Sequence, residues 1–151
     1  MKITLAAIVP RRSRAKGDAA ETLVADYITR AARYIPTESQ LFETEPDLLA
    51  FLAAQPGRVK PVAILLDSRG KQLSSEEFAT VLGTQRDQGT QRLVLAIGPA
   101  DGWSEAVRKG ADLTLSLGRI TLPHQLARVV LAEQVYRGLT ILAGHPYHCG
   151  H

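Results

Sequence analysis

Apolar residues along this chain follow two alternating rhythms. Ile3 to Val9 is a continuous apolar run with β-branched members, closed by Pro10, the pattern of a strand buried on both faces. From Asp18 the spacing changes. Leu23, Val24, Tyr27, Ile28, Ala31 and Ala32 recur at three- and four-residue intervals, predicting an amphipathic helix over 18–34 that Pro36 stops. Leu41 to Glu43 predicts a short strand, and Glu45 to Ala54 a helix with Leu48, Leu49 and Leu52 on one face. Pro61 to Leu66 is another buried strand, and Asp67-Ser68-Arg69-Gly70 has the composition of a turn. Ser74, Ser75, Glu76 and Glu77 place a serine cap before acidic residues that complement a helix dipole, so a helix should run to about Gln88. Arg92 to Ile97 is a third buried strand, closed by Gly98-Pro99-Ala100-Asp101-Gly102. A short helix over 103–109, a strand from Leu113 to Leu117, and a long helix from His124 to just before Gly144 complete the pattern.

Strands that alternate with helices, and are apolar throughout rather than on every second residue, predict an α/β fold. Its sheet is mostly parallel and covered by helices on both faces. At 151 residues the chain suits a single domain, 1–151, with a substantial core. Ligands of open parallel sheets bind at the carboxyl ends of the strands. Three loops are therefore candidates: Asp67–Gly70, Gly98–Gly102 and Leu117–Pro123.

The last helix is the most informative element. Leu126, Val129, Val130, Leu131, Val135, Tyr136, Leu139, Ile141 and Leu142 surround almost its whole circumference. A helix apolar on all sides is buried on all sides. A terminal helix of a small domain should have one wet face, so a second subunit is expected to cover it: a homodimer. A helix lying centrally in a monomer is the alternative. Glu133 and Arg137, four apart, either pair on the helix surface for a few tenths of a kcal/mol or sit at an interface where buried charge needs a purpose.

Composition changes this picture little. Apolar residues make up 45% and charged residues 22% of the chain. No apolar run approaches the ~20 residues of a bilayer-crossing helix, so no membrane association is expected. The opening MKITLAAIVPRRSR has its basic residues after the apolar stretch, which suits a first strand better than a secretory leader. One cysteine, Cys149, fits a reducing, cytoplasmic setting. The net charge of +3 is uneven, with Arg11, Arg12, Arg14 and Lys16 in one window, a solvated loop or an RNA contact.

Several chemistries are excluded. No G-x-G-x-x-G or G-x-x-x-x-G-K-S/T follows any strand, and no G-x-S-x-G elbow starts a serine triad. His145-x-x-His148-Cys149-x-His151 does not match a closed zinc spacing, and no upstream pair completes it, so no metal is expected. Cys149 in a glycine-flanked terminus lacks a setting that would activate its thiol.

The run Leu117-Gly-Arg-Ile-Thr-Leu-Pro-His124-Gln-Leu-Ala-Arg128, then Leu131-Ala-Glu133-Gln-Val-Tyr136-Arg137 and His145-Pro-Tyr-His148, closely resembles the end of the RlmH family. Those are bacterial large-subunit ribosomal RNA pseudouridine N3-methyltransferases of the SPOUT class. Ile97–Gly102, Leu65–Gly70 and the opening MKITLAAIV resemble family segments in the same order, so the likeness spans the chain, thinning between 35 and 60. The resemblance implies a C-terminal trefoil knot, which general rules of chain threading would not suggest. It implies a homodimer that binds S-adenosylmethionine in the knot, through Leu66, Gly98, Leu117, Gly118, Arg119, Ile120, Thr121 and Leu122. Its substrate would be a pseudouridine of 23S rRNA in the assembled ribosome.

On that reading Tyr147 and His148 grip the target base or accept its proton, Arg137 stabilises the developing anion, and Glu133 orients Arg137. His124 is structural. In such a dimer the tail reaches a pocket at the subunit boundary, making a composite active site. One departure stands out: Gly98 is followed by Pro99 where relatives carry a second glycine. Proline fixes φ and removes a backbone donor, which would lower cofactor affinity if that residue needed either. The alternative is a catalytically weakened SPOUT-fold protein that binds RNA or the ribosome.

Overall fold

A computed structural model describes residues 1–14 and 17–149. Lys16 and His151 lie outside the described residues. Five strands, β1 (Lys2–Ile8), β2 (Thr37–Phe42), β3 (Val62–Gln72), β4 (Arg92–Ile97) and β5 (Leu113–Ser116), form one sheet in the order β2-β1-β4-β3-β5. Every neighbouring pair is parallel, as the continuous apolar strands predict.

Two cores lie on the two faces of this sheet. Ile3, Leu5, Leu93 and Leu95 point to one side, where α1 (Ala19–Ala31), α3 (Ser75–Asp87) and α5 (His124–Ala143) pack. Ala6, Ile8, Val94 and Ala96 point to the other, under α2 (Glu45–Leu52) and α4 (Glu105–Lys109). The helix starts follow their sequence signals. Ser74 and Glu77 close a reciprocal capping box, and Asp18, Thr44 and Ser104 each accept a first-turn N–H.

The position of α5 corrects one expectation. It is not a terminal helix with a wet face but the middle helix of its layer, with α1 and α3 on its flanks and β1 and β4 beneath. Burial of Leu131, Ala132, Val135, Leu139 and Thr140 is met inside the chain. Only an outer strip stays open, and Leu126 at its start is 51% exposed.

Other differences have local causes. β2 begins at Thr37 rather than Leu41, because Thr37–Phe42 pair residue by residue with Ile3–Ile8. It is an edge strand, so its polar Thr-Glu-Ser-Gln start hides it from a hydrophobic pattern. α1 stops at Ala31, and Arg33 and Tyr34 bond back into a tightened last turn before Pro36. The predicted turn Asp67–Gly70 does not end β3. The strand bulges there, so that Leu66 and Lys71 both oppose Leu115, and Gln72 then pairs Ser116.

Gly70 makes that bulge possible. A Cβ on it would meet the backbone of Thr114 and Leu115 at 2.6–2.7 Å. The neighbour is main chain and cannot rotate away. Gly70→Ala should therefore destabilise the fold by about 1–3 kcal/mol, read as a lower midpoint in urea unfolding; an unchanged midpoint would show that β5 does not press on β3.

Candidate active site

The three candidate loops meet at the carboxyl edge of the sheet. Leu66, Asp67, Gln72 and the run Leu117–Leu122 line a cleft of about 520 Å³. An adjoining cleft of about 460 Å³ adds Gly98–Gly102, Trp103 and His124, and shares Leu66, Leu122 and Ala127 with the first. Together they gather all eight residues carried over for the cofactor: Leu66, Gly98, Leu117, Gly118, Arg119, Ile120, Thr121 and Leu122. The volume of each is in the range of small-molecule sites. Ile120 is 76% exposed, so its side chain contributes little to the walls.

The floor is held by contacts that the pattern of the sequence did not reveal. The indole N–H of Trp103 donates to the Leu66 carbonyl at 2.9 Å, and its ring lies so close to Gly98 that a Cβ there would meet it at 2.7 Å. The ring Nε2 of His124 bonds the Gly98 carbonyl at 2.9 Å, tying the start of α5 to the glycine turn. This is the structural role expected of His124. Arg128, named in the sequence only as part of the family-like run, is buried and makes two contacts with Glu21 on α1, whose carboxyl it holds below its ordinary pKa. The one available signal was Trp103 itself, the only tryptophan, directly after the glycine turn.

Pro99 fits this turn. Its carbonyl accepts the Gly102 N–H at 2.8 Å, and the left-handed conformation falls on Gly102, at φ +90°, not on Pro99. The penalty expected of proline therefore does not arise in the backbone conformation.

A second group assembles further along α5. Glu133 and Arg137 are paired, with Arg137 Nε and Nη2 at 2.8 and 2.7 Å from one carboxylate oxygen. Their side chains are only 17% and 18% exposed, so this is not the open surface pair of the first alternative. Tyr147 donates its O–H to the same oxygen at 3.3 Å, and the Arg137 guanidinium stands 5.1 Å over its ring. Burial first, and then the Glu133 charge, push the Tyr147 phenol up to about 12. The tail continues as a 3₁₀ turn, Pro146–His148, whose N–H of Tyr147 is capped by His145 Nδ1. His148 stands apart from the Glu133 group: its Nδ1 bonds the His145 carbonyl and its Nε2 faces Cys149. The two ring nitrogens thus have local partners, and among the described residues no group of three or more potential metal ligands forms.

Neither cleft is lined by Glu133, Arg137 or Tyr147. Glu133 and Arg137 lie roughly 14 and 20 Å along α5 from His124, at about 1.5 Å per residue.

A parallel sheet with a ligand-sized trough at its carboxyl ends, built by a glycine turn and the loop entering the last helix, defines a class of cofactor-binding α/β proteins. The family described as predicted SPOUT methyltransferase matches residues 1–148, and the chain belongs to that family. It is 54% identical over 138 residues to ribosomal RNA large subunit methyltransferase H of Koribacter versatilis, covering 91% of this chain and 94% of that protein. It is 59% identical over 85 residues to the protein of the same name from Brucella ovis, a match spanning 56% of this chain and half of that one. The resemblance read from the sequence is borne out. Among solved structures, a probable methylase family protein from Haemophilus influenzae aligns with a TM-score of 0.55 at 9% identity, over 97% of this chain and 70% of that one. The SpoU methyltransferase AviRb from Streptomyces viridochromogenes, in complex with AdoMet, aligns with a TM-score of 0.51 at 12% identity, over 95% and 61%. At such identities the likeness is one of fold.

Two measurements follow from this geometry. Pro99→Gly should leave affinity for S-adenosylmethionine within about twofold by calorimetry, whereas a gain of tenfold or more, about 1.4 kcal/mol, would show that proline does restrict the site. In a spectrophotometric titration the Tyr147 phenol should ionise near pH 12, a step that Tyr147→Phe removes. Its folded pKa lies above the unfolded value of about 10, so the stability it contributes is complete below pH 10 and is lost as pH rises towards 12. A phenol titrating near 10 would mean that Tyr147 is not held against Glu133.

Proposed function

We propose that this protein is an S-adenosylmethionine-dependent methyltransferase that methylates N3 of a pseudouridine in 23S rRNA of the assembled ribosome. It works as a cytoplasmic homodimer of one domain, 1–151, with a composite active site. The observation that carries this reading is the separation along α5. A methyl transfer needs its reacting atoms about 3–3.5 Å apart, yet the cleft and the Glu133–Arg137–Tyr147 group sit at different stations of one rigid helix. An antiparallel partner would bring its tail to this cleft. Exposed Leu126 on α5, half-exposed Leu23 on α1 and half-exposed Tyr34 in the turn after it favour burial of this face in the dimer, and interface cores are rich in Tyr and Arg. The 54% identity with a large-subunit methyltransferase H over most of both chains supports the substrate class. No helix among the described residues is long and apolar enough to cross a membrane.

The cleft suits the cofactor in its chemistry. Gly98 and Gly118 bring the main chain to the cleft wall without side chains of their own, Leu66, Ile97 and Leu122 supply apolar walls, and the carboxylate of Asp67 is already paired with Arg69. A trefoil knot accords with the path of the chain here: the β3 bulge presses on β5 at Gly70, and the segment after β5 runs back to dock His124 on Gly98.

S-adenosylmethionine, when bound, supplies a methyl group activated by the adjacent sulfonium charge. The chain's residues must hold the pseudouridine in line and dispose of the N3 proton. With its pKa near 12, Tyr147 stays protonated at neutral pH and acts as a donor and a ring against the base rather than as proton acceptor. His148 takes that role. Its Nδ1 bonds the His145 carbonyl at 3.2 Å, which turns Nε2, the edge that faces the Cys149 thiol, towards the proton. Arg137, oriented by Glu133, stabilises the anion left on the base.

The test has two arms. Purified protein with S-adenosylmethionine should methylate one 23S pseudouridine in intact ribosomes, read by mass spectrometry of the RNA. Removing residues 145–151 should lower that rate by at least about a hundredfold and leave cofactor affinity within about twofold by calorimetry. Full activity without the tail would overturn its role, and no calorimetric heat up to millimolar cofactor would favour the non-catalytic RNA-binding alternative.

A further inference from the structure

A cavity of about 350 Å³ opens beside the cofactor cleft, between the N-terminus of α3 and the middle of α5. It shares Leu66, Leu117 and Gly118 with the cleft, and Ser75 and Gln134 form part of its far wall. Ser75 Oγ donates to Gln134 Oε1 at 2.7 Å, and Gln134 Nε2 donates to Glu133 Oε2 at 2.8 Å. The other Glu133 oxygen accepts from Arg137 and Tyr147. Resting on the proposed role of the Glu133 group, we infer that Gln134, braced by Ser75, is a positioning residue. It fixes the Glu133 carboxylate in the orientation that aligns Arg137 and Tyr147.

The direction of the hydrogen bonds carries the argument. An ionised carboxylate only accepts, so Gln134 must turn its NH₂ to Glu133. Its amide oxygen then faces Ser75, whose hydroxyl is left to donate. Gln134, Arg137 and Tyr147 all donate to the one carboxylate, and Ser75 donates to Gln134 behind it. Glu133 lies on the outer strip of α5 and has three rotatable bonds with which to swing into water. Its contacts on Oε1 come from Arg137 of the same helix and from Tyr147 of the tail, whereas Gln134 is tied through Ser75 to the first turn of α3. That turn is itself locked by the Ser74–Glu77 capping box. The rigid end of the network is thus on the cofactor side, and the tail is organised from it.

The test compares Gln134→Met, which keeps length and removes both hydrogen bonds, with Ser75→Ala, Ser75→Thr and Glu133→Gln. The inference expects Gln134→Met to lower kcat about tenfold, with KM for ribosomes and calorimetric cofactor affinity within about twofold. Ser75→Ala should lower kcat less, Ser75→Thr should restore it, and Ser75→Ala with Gln134→Met should be no worse than Gln134→Met alone, because the two act in series. If Gln134→Met does not fold, the Ser75→Ala and Ser75→Thr pair carries the same comparison. Parent kcat in Gln134→Met or Ser75→Ala, with Glu133→Gln impaired, would overturn the positioning role and leave the proposed site intact. Parent kcat in Glu133→Gln would overturn the site reading itself, and this inference with it. Loss of cofactor affinity at unchanged kcat would make Gln134 a wall of the cofactor pocket instead.

Discussion

The placement of α5 governs every part of the site. Its first residue, His124, is tied to the carbonyl of Gly98, and Arg128 one turn on is clamped to Glu21 of α1. The buried face from Leu131 to Thr140 then fills the space between α1, α3 and the sheet. A helix held at one end by a buried arginine paired to Glu21, and along its length by close packing, cannot slide or tilt without opening the core. The loop before it, Leu117–Pro123, is therefore stretched in a defined path over the carboxyl ends of β3 and β5. The tail after it is folded back against Tyr27 and Tyr136.

That rigidity explains both the precision and the incompleteness of the site. At one end of the helix, backbone and apolar side chains shape a trough suited to an adenosine-containing cofactor. At the other, a half-buried carboxylate collects donors from Arg137, Tyr147 and Gln134. On the proposed reading a methyl transfer needs both groups, and neither cleft is lined by Glu133, Arg137 or Tyr147. The proposed symmetric dimer would resolve the separation without moving either, because antiparallel helices exchange ends. In that proposed dimer the exposed apolar residues at the α1–α5 face would serve both assembly and catalysis.

Much of this was legible in the sequence, for identifiable reasons. Buried parallel strands announce themselves as continuous apolar runs, and β1, β4 and the first half of β3 do so. The edge strand β2 begins in polar residues and stayed hidden until its partner was known. Asp67–Gly70 has turn chemistry and does bulge, but pairing of Lys71 and Gln72 with β5 carries the strand onwards, a long-range effect that local composition does not encode. The apolar girth of α5 was read correctly as burial and wrongly as the burial of a surface helix. The cofactor loops and the Glu133–Arg137–Tyr147 group came from the family resemblance residue by residue. What binds them together did not: Trp103 under Gly98, Arg128 on Glu21 and Gln134 between Ser75 and Glu133 are contacts between distant segments, and no spacing rule points to them.

The central claim is that cleft and tail act across the subunit boundary, and mixed dimers address it directly. One variant lacks residues 145–151, and another carries Leu122→Glu in the cofactor cleft, so each is inactive alone. Refolded together in equal amounts, half of the dimers are mixed, and each mixed dimer has one site with an intact cleft from one chain and an intact tail from the other. The account predicts recovery of about one quarter of the parent methylation rate on ribosomes. A mixture as inactive as its components, with mixed dimers demonstrably present, would mean that each chain needs its own tail and would contradict it.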